Sequence, residues 1–276
     1  MRIQETGILS SLFSNKVSLR INPLNISVNG LVDQVVNKAF NRYNRFVKVR
    51  VVHSWQVSIA EARKIQENLA CQVSREYEAS PPRLVTGADI SIRRNGTAKA
   101  ALVTLTFPDM APIEIKTVEG TLSFPYVPGL LTFREAPLVL AACEQLKFQP
   151  DIILVDGQGI AHPRRFGLAS HLGILLDVPT IGCAKSRLCG DYEMPADTAG
   201  SYTALVDGGE VIGAVLRTKK GTKPLFVSIG HKCNLGMAVR TVLECCKGFR
   251  IPQPTRLAHL VAGGNTVIEL AGQALI

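Results

Sequence analysis

Three carboxylates stand where an apolar core would not choose to put them. Asp89 interrupts the run Val85-Thr86-Gly87-Ala88-Asp89-Ile90, and an aspartate among strand residues must face solvent or a partner that offsets its desolvation. Simple alternation along a half-exposed strand accounts for it as well. Asp156 closes Ile152-Ile153-Leu154-Val155 and precedes Gly157. That is the carboxyl end of a buried strand, where open α/β sheets place ligands. Glu135 follows Arg134 at an expected helix start, a position that the helix dipole alone explains. Oxygen donors of this kind suit Mg²⁺, with Mn²⁺ as a substitute, better than zinc, and no two histidines stand at helical metal-ligand spacing. An ion held between such carboxylates activates water and neutralises a phosphodiester. The segment Gly157-Gln158-Gly159 lacks the third glycine of a dinucleotide-binding loop, since His162 takes its place, and no early βαβ unit frames it.

The elements that must position these groups can be read from periodicity. From Val57 onward Ile59, Ala60, Ile65, Leu69 and Val73 recur at helical spacing, and Pro81-Pro82 end that helix. Leu84 to Ile92 and Lys99 to Phe107 read as strands around the turn Arg94-Asn95-Gly96, with a third from Ile113 to Leu122. Glu135 to Leu146 reads as a helix, Asp151 to Val155 as a buried strand, and Gly167 to Leu176 as a helix. Strands follow at Thr180 to Cys183, Tyr202 to Val206, Val211 to Leu216 and Leu225 to Ile229, then a last helix from Leu235 to Cys246. An antiparallel meander followed by alternating helices and parallel strands predicts a mixed central sheet flanked by helices, the α/β pattern of ribonuclease-H-like architecture.

Composition narrows the function class only a little. The chain has 276 residues, 46% hydrophobic and 19% charged, with a net charge of +9. A basic excess invites a polyanionic partner, yet the first fifty residues hold eight basic groups against two acidic ones, leaving +3 for the rest. Local clusters such as Arg164-Arg165 and Lys219-Lys220 with Lys223 must therefore carry any nucleic-acid contact. The cysteines number seven, with no Cys-x-x-Cys pair, which suggests neither a disulfide framework nor a zinc ribbon. No run of about 18 apolar residues spans a bilayer, and the N-terminus lacks the order of a secretory signal. A cytoplasmic monomer with no membrane partner is expected. Residues 1–50 read as a solvated extension with a loose compositional likeness to an organellar transit segment, 51–257 as the catalytic domain, and 258–276 as a C-terminal tail.

In order along the chain, Thr86-Gly87-Ala88-Asp89, then Pro125-Tyr126-Val127-Pro128-Gly129 continuing to Phe133-Arg134-Glu135, then Val155-Asp156-Gly157-Gln158-Gly159 running into His162-Pro163-Arg164-Arg165, then Gly182-Cys183-Ala184-Lys185-Ser186, and finally Gly230-His231 closely resemble the endonuclease V family. The likeness spans roughly Trp55 to Thr255, and five collinear motifs are far more specific than any one of them. The resemblance implies a ribonuclease-H-like fold. It also implies a Mg²⁺-dependent repair endonuclease that cuts the second phosphodiester 3′ of deoxyinosine in DNA, with inosine-containing RNA as an alternative substrate. By position it makes Asp89, Glu135 and Asp156 the metal ligands, Lys185 and His231 further catalytic residues, and Tyr126 the tip of a strand-separating wedge.

Physical chemistry agrees with those roles without requiring them. Lys185 would hold the scissile phosphate, though surface lysines are common. His231 would relay a proton near neutral pH, or be a capping or core histidine. Pro125 and Pro128 would keep the Tyr126 tip extended, as they would in any rigid connector. Gly129, Gly157 and Gly159 would let the backbone approach the base, and His162, Arg164 and Arg165 would contact the substrate, the arginines gripping phosphates. The competing expectations are a module that binds inosine without cutting, and a nuclease for RNA–DNA hybrids.

Overall fold

The computed structural model describes residues 47–76 and 81–265. The extension expected over 1–50 and the tail expected over 258–276 lie mostly outside the described residues. The first helix among the described residues is α1 (Ile59–Ala70), whose start is set by a capping box: Ser58 Oγ accepts from Glu61 N at 3.2 Å while Glu61 returns an acceptor to Ser58 N at 2.7 Å. Three strands follow, β1 (Leu84–Ile92), β2 (Thr97–Thr106) and β3 (Pro112–Thr121), as the antiparallel meander that their turn residues predict. Next come α2 (Leu131–Cys143), β4 (Ile152–Val155), α3 (Leu168–Leu176) and β5 (Thr180–Ala184), then β6 (Tyr202–Asp207), β7 (Glu210–Leu216) and β8 (Leu225–His231), and finally α4 (Leu235–Cys246) and α5 (Gln253–Ala262).

The eight strands of the described residues form one sheet in the order β3-β2-β1-β4-β5-β8-β7-β6. Alternation in β4 divides the core. Ile152 and Leu154 face a cluster completed by Met237, Val242, Leu257 and Val261 of α4 and α5. Ile153 and Val155 face Ala136, Val139, Leu172 and Leu175 of α2 and α3. The result is a sheet buried on both faces by helices, which is why its central strands read as unbroken apolar runs.

Two features depart from the expectation. Only β1, β4 and β5 run parallel, while β8 returns antiparallel to β5 and β7 antiparallel to β8. No helix separates β6, β7 and β8, and a parallel crossover needs a dozen or more covering residues, so short connections force antiparallel pairing. The β6–β7 turn is the two-residue Gly208-Gly209, both at positive φ. The second departure is α5, which runs straight through the boundary drawn after residue 257 and buries Ala258, Val261 and Ala262. Upstream, Val47 is also buried in the α2–α3 layer, so the packed body starts before residue 51.

Gly87 explains how α5 comes so close. A Cβ built there would lie 2.0 Å from the Pro254 carbonyl carbon and 2.5 Å from Thr255 N. Backbone cannot yield as a flexible side chain can. Gly87→Ala is therefore expected to cost about 1–3 kcal/mol, read as a lowered denaturation midpoint with unchanged m-value, and to loosen α5 from β1.

Candidate active site

Asp89 and Asp156 emerge side by side because β1 and β4 are parallel neighbours, with Ala88 opposite Val155 and Asp156 N donating to Ala88 O at 3.3 Å. Glu135 reaches the same sheet edge from α2, one turn further into the helix than its expected place at the start. All three are largely removed from water: the Asp89 side chain is 9% exposed, that of Asp156 17%, and Glu135 is buried. Burial pushes the Glu135 carboxyl from 4.5 up to about 8, with the charges of Asp89 and Asp156 adding to the rise. Asp89 is raised by burial first and by Asp156 second.

Two cationic or proton-bearing side chains attend this cluster. Lys185, just beyond β5, forms an ion pair with Asp156. His259 of α5 places Nδ1 2.7 Å from Asp89 Oδ2. Among the described residues no group of three or more acidic, histidine or cysteine side chains is drawn together closely enough to hold a metal ion. Arg250 works behind Lys185, donating to the carbonyls of Lys185 at 3.2 Å, Lys223 at 2.6 Å and Pro224 at 3.1 Å, and thereby tying the end of β5 to the β7–β8 connection.

A cleft of about 370 Å³ opens beside Asp156 and Lys185, walled by Tyr126–Gly129, by Gly157, Gln158 and His162, and by Ser186–Leu188. Its size falls in the range of small-ligand pockets. Tyr126 stands at the rim, 71% exposed. The loop that carries it is anchored at one atom: Gly129 O accepts from Gln66 Nε2 at 3.1 Å, His162 Nε2 at 2.9 Å and Arg164 at 2.8 Å. His162 accepts from Arg164 N on its other nitrogen. Burial lowers its pKa to about 4, so at neutral pH it is an uncharged Nε2–H donor.

Three of the expected site contributions lie apart from the cluster or are engaged elsewhere. His231 is not at this site. It lies opposite Thr180 at the start of β5, whereas Asp156 and Lys185 flank the far ends of β4 and β5, roughly 10 Å away by strand rise alone. There His231 is buried against Gly173 of α3, accepts from Ser74 N at 3.2 Å and faces Asp177 at 3.9 Å, a buried histidine at the end of an interior strand. Arg164 and Arg165 are committed inward. Arg164 binds Gln66 Oε1 and Gly129 O, and Arg165 pairs with Asp207 at 2.8 Å and Glu210 at 2.6 Å. Gly159 serves packing, since a Cβ there would meet Ile229 O at 1.9 Å, while at Gly157 it would meet only ordinary contact with Leu168.

Sequence reasoning missed His259, Gln66 and Arg250. Leu257, Ala258, Val261 and Ala262 carry a helical period that marks α5 and puts His259 on its outer edge, but the boundary expected after residue 257 cuts through it. Gln66 is a polar residue inside the apolar stripe of α1, which is itself a signal.

The comparisons fall on this frame. The endonuclease V family model matches residues 67–260. An endonuclease V of Dehalococcoides mccartyi is 50% identical over 217 residues, 78% of this chain and 97% of that one. The crystal structure of endonuclease V from Streptomyces avermitilis, 40% identical, covers 83% of this chain and 100% of its own with a TM-score of 0.73. Endonuclease V of Ciona intestinalis, in complex with a 23-mer DNA containing an inosine followed by a ribo-adenosine, is 32% identical, with a TM-score of 0.64 over 74% of this chain and 95% of that one. With its ribonuclease-H-like sheet and its match across most of the chain, this protein belongs to the endonuclease V family of hydrolytic DNA-repair endonucleases.

Proposed function

We propose that this protein cleaves DNA beside deoxyinosine, at the second phosphodiester 3′ of the lesion, using Mg²⁺ or Mn²⁺ held by Asp89, Glu135 and Asp156. The observation that carries this reading is the juxtaposition of a buried carboxylate cluster with a small-ligand-sized cleft whose rim bears an exposed tyrosine. The donor chemistry, carboxylate oxygens at the ends of β1 and β4 and on α2, suits a divalent ion, although the three carboxyls are not drawn together as a ligand group in this arrangement. Burial first, and the neighbouring carboxylate charge second, hold Asp89 and Glu135 above the usual carboxylate range, a cost that positive charge relieves when they ionise. The chemistry such an ion supplies is water activation and neutralisation of the phosphate.

The chain's own residues supply the rest. Lys185 leaves its contact with Asp156 to meet the scissile phosphate, and Arg250 holds the Lys185 backbone in place. His259 fixes the orientation of Asp89 and stands ready to pass a proton. Extruding a base costs a few kcal/mol, which Tyr126 offsets by filling the vacated place in the stack. The Gly129 anchor keeps that tyrosine out of the cleft. Tyr126→Ala is expected to weaken binding to deoxyinosine-containing duplex about tenfold, the lower-middle range for loss of a base–aromatic stack, measured by fluorescence anisotropy in EDTA; unchanged affinity would remove the wedge.

DNA is the favoured substrate, and inosine-containing RNA the second to assay, because the Ciona intestinalis complex holds an inosine followed by a ribonucleotide. The discriminating experiment compares four end-labelled substrates: duplex DNA with one deoxyinosine, the same duplex with deoxyadenosine, inosine-containing RNA and an undamaged RNA–DNA hybrid. Cleavage confined to the inosine-containing strands supports the proposal. Cutting of the plain hybrid would make the protein a general hybrid nuclease, and binding without cutting would make it a recognition module.

A further inference from the structure

Of the two basic clusters in the sequence, Arg164-Arg165 is held inward, which leaves Lys219-Lys220 with Lys223. These three lysines are exposed and make no ion pair among the described residues. They share one short loop, residues 217–224, between β7 and β8. Register fixes where that loop stands. Ala184 pairs with Phe226 and Leu216 with Leu225, so β7 ends and β8 starts at the sheet edge where Asp156 and Lys185 emerge. The loop is pinned at both ends. Thr222 Oγ1 donates to Lys219 O at 2.8 Å, Gly221 N donates to Asp197 Oδ1 at 2.9 Å, and the buried Arg217 donates to Thr222 O and Pro195 O. Thr218 Oγ1 donates to Arg250 O at 2.6 Å, and Arg250 holds the carbonyls of Lys223, Pro224 and Lys185. Asp197 is engaged by Gly221 N and by Arg217 at 3.5 Å. Three like charges are thus presented on a fixed backbone with no acid to neutralise them, an arrangement that favours a polyanion.

We propose that this loop is a phosphate clamp for the DNA duplex beyond the scissile bond, with Lys219, Lys220 and Lys223 on the backbone 3′ of the cut. The direction rests on the Proposed function. The cleft is lined from α2 and α3 by Leu131, Thr132 and Leu168, whereas the loop is fastened to Arg250, between α4 and α5 on the other face of the sheet. With the lesion in the cleft and the cut on its 3′ side, the strand continues past Asp156 and Lys185 toward the loop. From β4 the sheet runs through β5 and β8 to β7, a distance of about 14 Å at the usual strand spacing. That is about four base-pair rises of duplex. Ammonium groups meet phosphates as point charges and read no sequence, so the clamp adds affinity and register without adding lesion specificity.

The test compares full-length wild type, a triple variant carrying Lys219→Gln, Lys220→Gln and Lys223→Gln, and a second in which the same three lysines become arginine. Binding to deoxyinosine-containing and to undamaged duplex is measured in EDTA by fluorescence anisotropy over a salt series. The glutamine variant should show a log affinity against log salt slope shallower by about 2 to 3, at about 0.9 per phosphate contact. Its affinity at about 0.1 M salt should fall at least tenfold on both duplexes, and arginine should restore the slope. Duplexes ending about two base pairs 3′ of the scissile bond should bind wild type and the glutamine variant alike, whereas trimming the 5′ side should leave their difference in place. An unchanged slope, no rescue by arginine, or a difference that disappears on 5′ trimming would overturn the proposal. A slope change confined to duplex RNA would also overturn it. Failure of wild type to nick the deoxyinosine duplex in Mg²⁺ would instead remove the Proposed function, and the slope on undamaged duplex would still decide whether the loop holds DNA.

Discussion

His259→Ala should lower kcat by about 100- to 1,000-fold, within the usual contribution of a positioned proton-transfer group, while His231→Ala leaves kcat within about threefold. Geometry alone separates the two histidines. His259 Nδ1 touches Asp89 Oδ2 at 2.7 Å, so its loss frees an aspartate whose ionisation is already disfavoured by burial and by Asp156. His231 touches Ser74 N and faces Asp177 at the other end of β5. Removing it deletes a buried side chain from the end of an interior strand, so its effect belongs in stability, with an expected loss of about 1–3 kcal/mol. Steady-state kinetics and urea denaturation of both variants check the pair. Reversed outcomes, with His231→Ala inactive and His259→Ala normal, would return the catalytic role to the end of β8. Because His259 is exposed on the outer edge of α5, its variant should fold normally, and the comparison is not confounded by misfolding.

Glu135→Gln should abolish metal-dependent stabilisation and reduce turnover by at least about 1,000-fold, at the upper end of what loss of one electrostatic group costs, yet leave the metal-free protein more stable than wild type near neutral pH. With its pKa raised to about 8, the metal-free Glu135 carboxyl is mostly protonated there, and glutamine copies that neutral form. The sign of the pH dependence follows from linkage. A carboxyl whose folded pKa lies above its unfolded value of 4.5 contributes stability that is present below 4.5 and is lost as pH rises toward 8. Wild type in EDTA should therefore lose stability relative to Glu135→Gln across that window. Ion binding must displace the Glu135 proton, so wild-type affinity for Mg²⁺ or Mn²⁺ should climb with pH up to about 8 and calorimetry should show proton release. Thermal melts with and without Mn²⁺, at several pH values, check both statements. A variant that keeps the wild-type melting shift in Mn²⁺ would take Glu135 out of the ligand set.

How much of this was legible in the sequence varied with the kind of signal. The meander β1–β3 and the buried strand β4 followed from apolar runs broken by Asn95-Gly96 and closed by Asp156, because turn chemistry and burial on both faces act locally. Asp89 and Asp156 were legible for the same reason: charge inside a strand pattern is conspicuous. The far half of the sheet was not, since strand order depends on which connection a covering helix can bridge, and no residue of β6 to β8 states its partner. His259 was hidden by tertiary distance. It meets Asp89 only because Gly87 lets Pro254 lie against β1, a contact between segments far apart in sequence. His231 was expected in the site from the family resemblance of Gly230-His231, and only register shows that it lies opposite Thr180 at the start of β5. Arg164 and Arg165 were read outward because paired arginines so often meet phosphate, whereas Gln66, Asp207 and Glu210 hold them inward.

The most direct test is to map the nick at single-nucleotide resolution on one 5′-labelled duplex carrying a single deoxyinosine, with wild type and Asp89→Asn, in Mg²⁺ and in EDTA. The expected product is one nick, one nucleotide 3′ beyond the inosine, formed by wild type in Mg²⁺ and absent both in EDTA and with Asp89→Asn, although that variant still binds the duplex. Cleavage at a different bond, undiminished cleavage in EDTA, or full activity of Asp89→Asn would contradict the account.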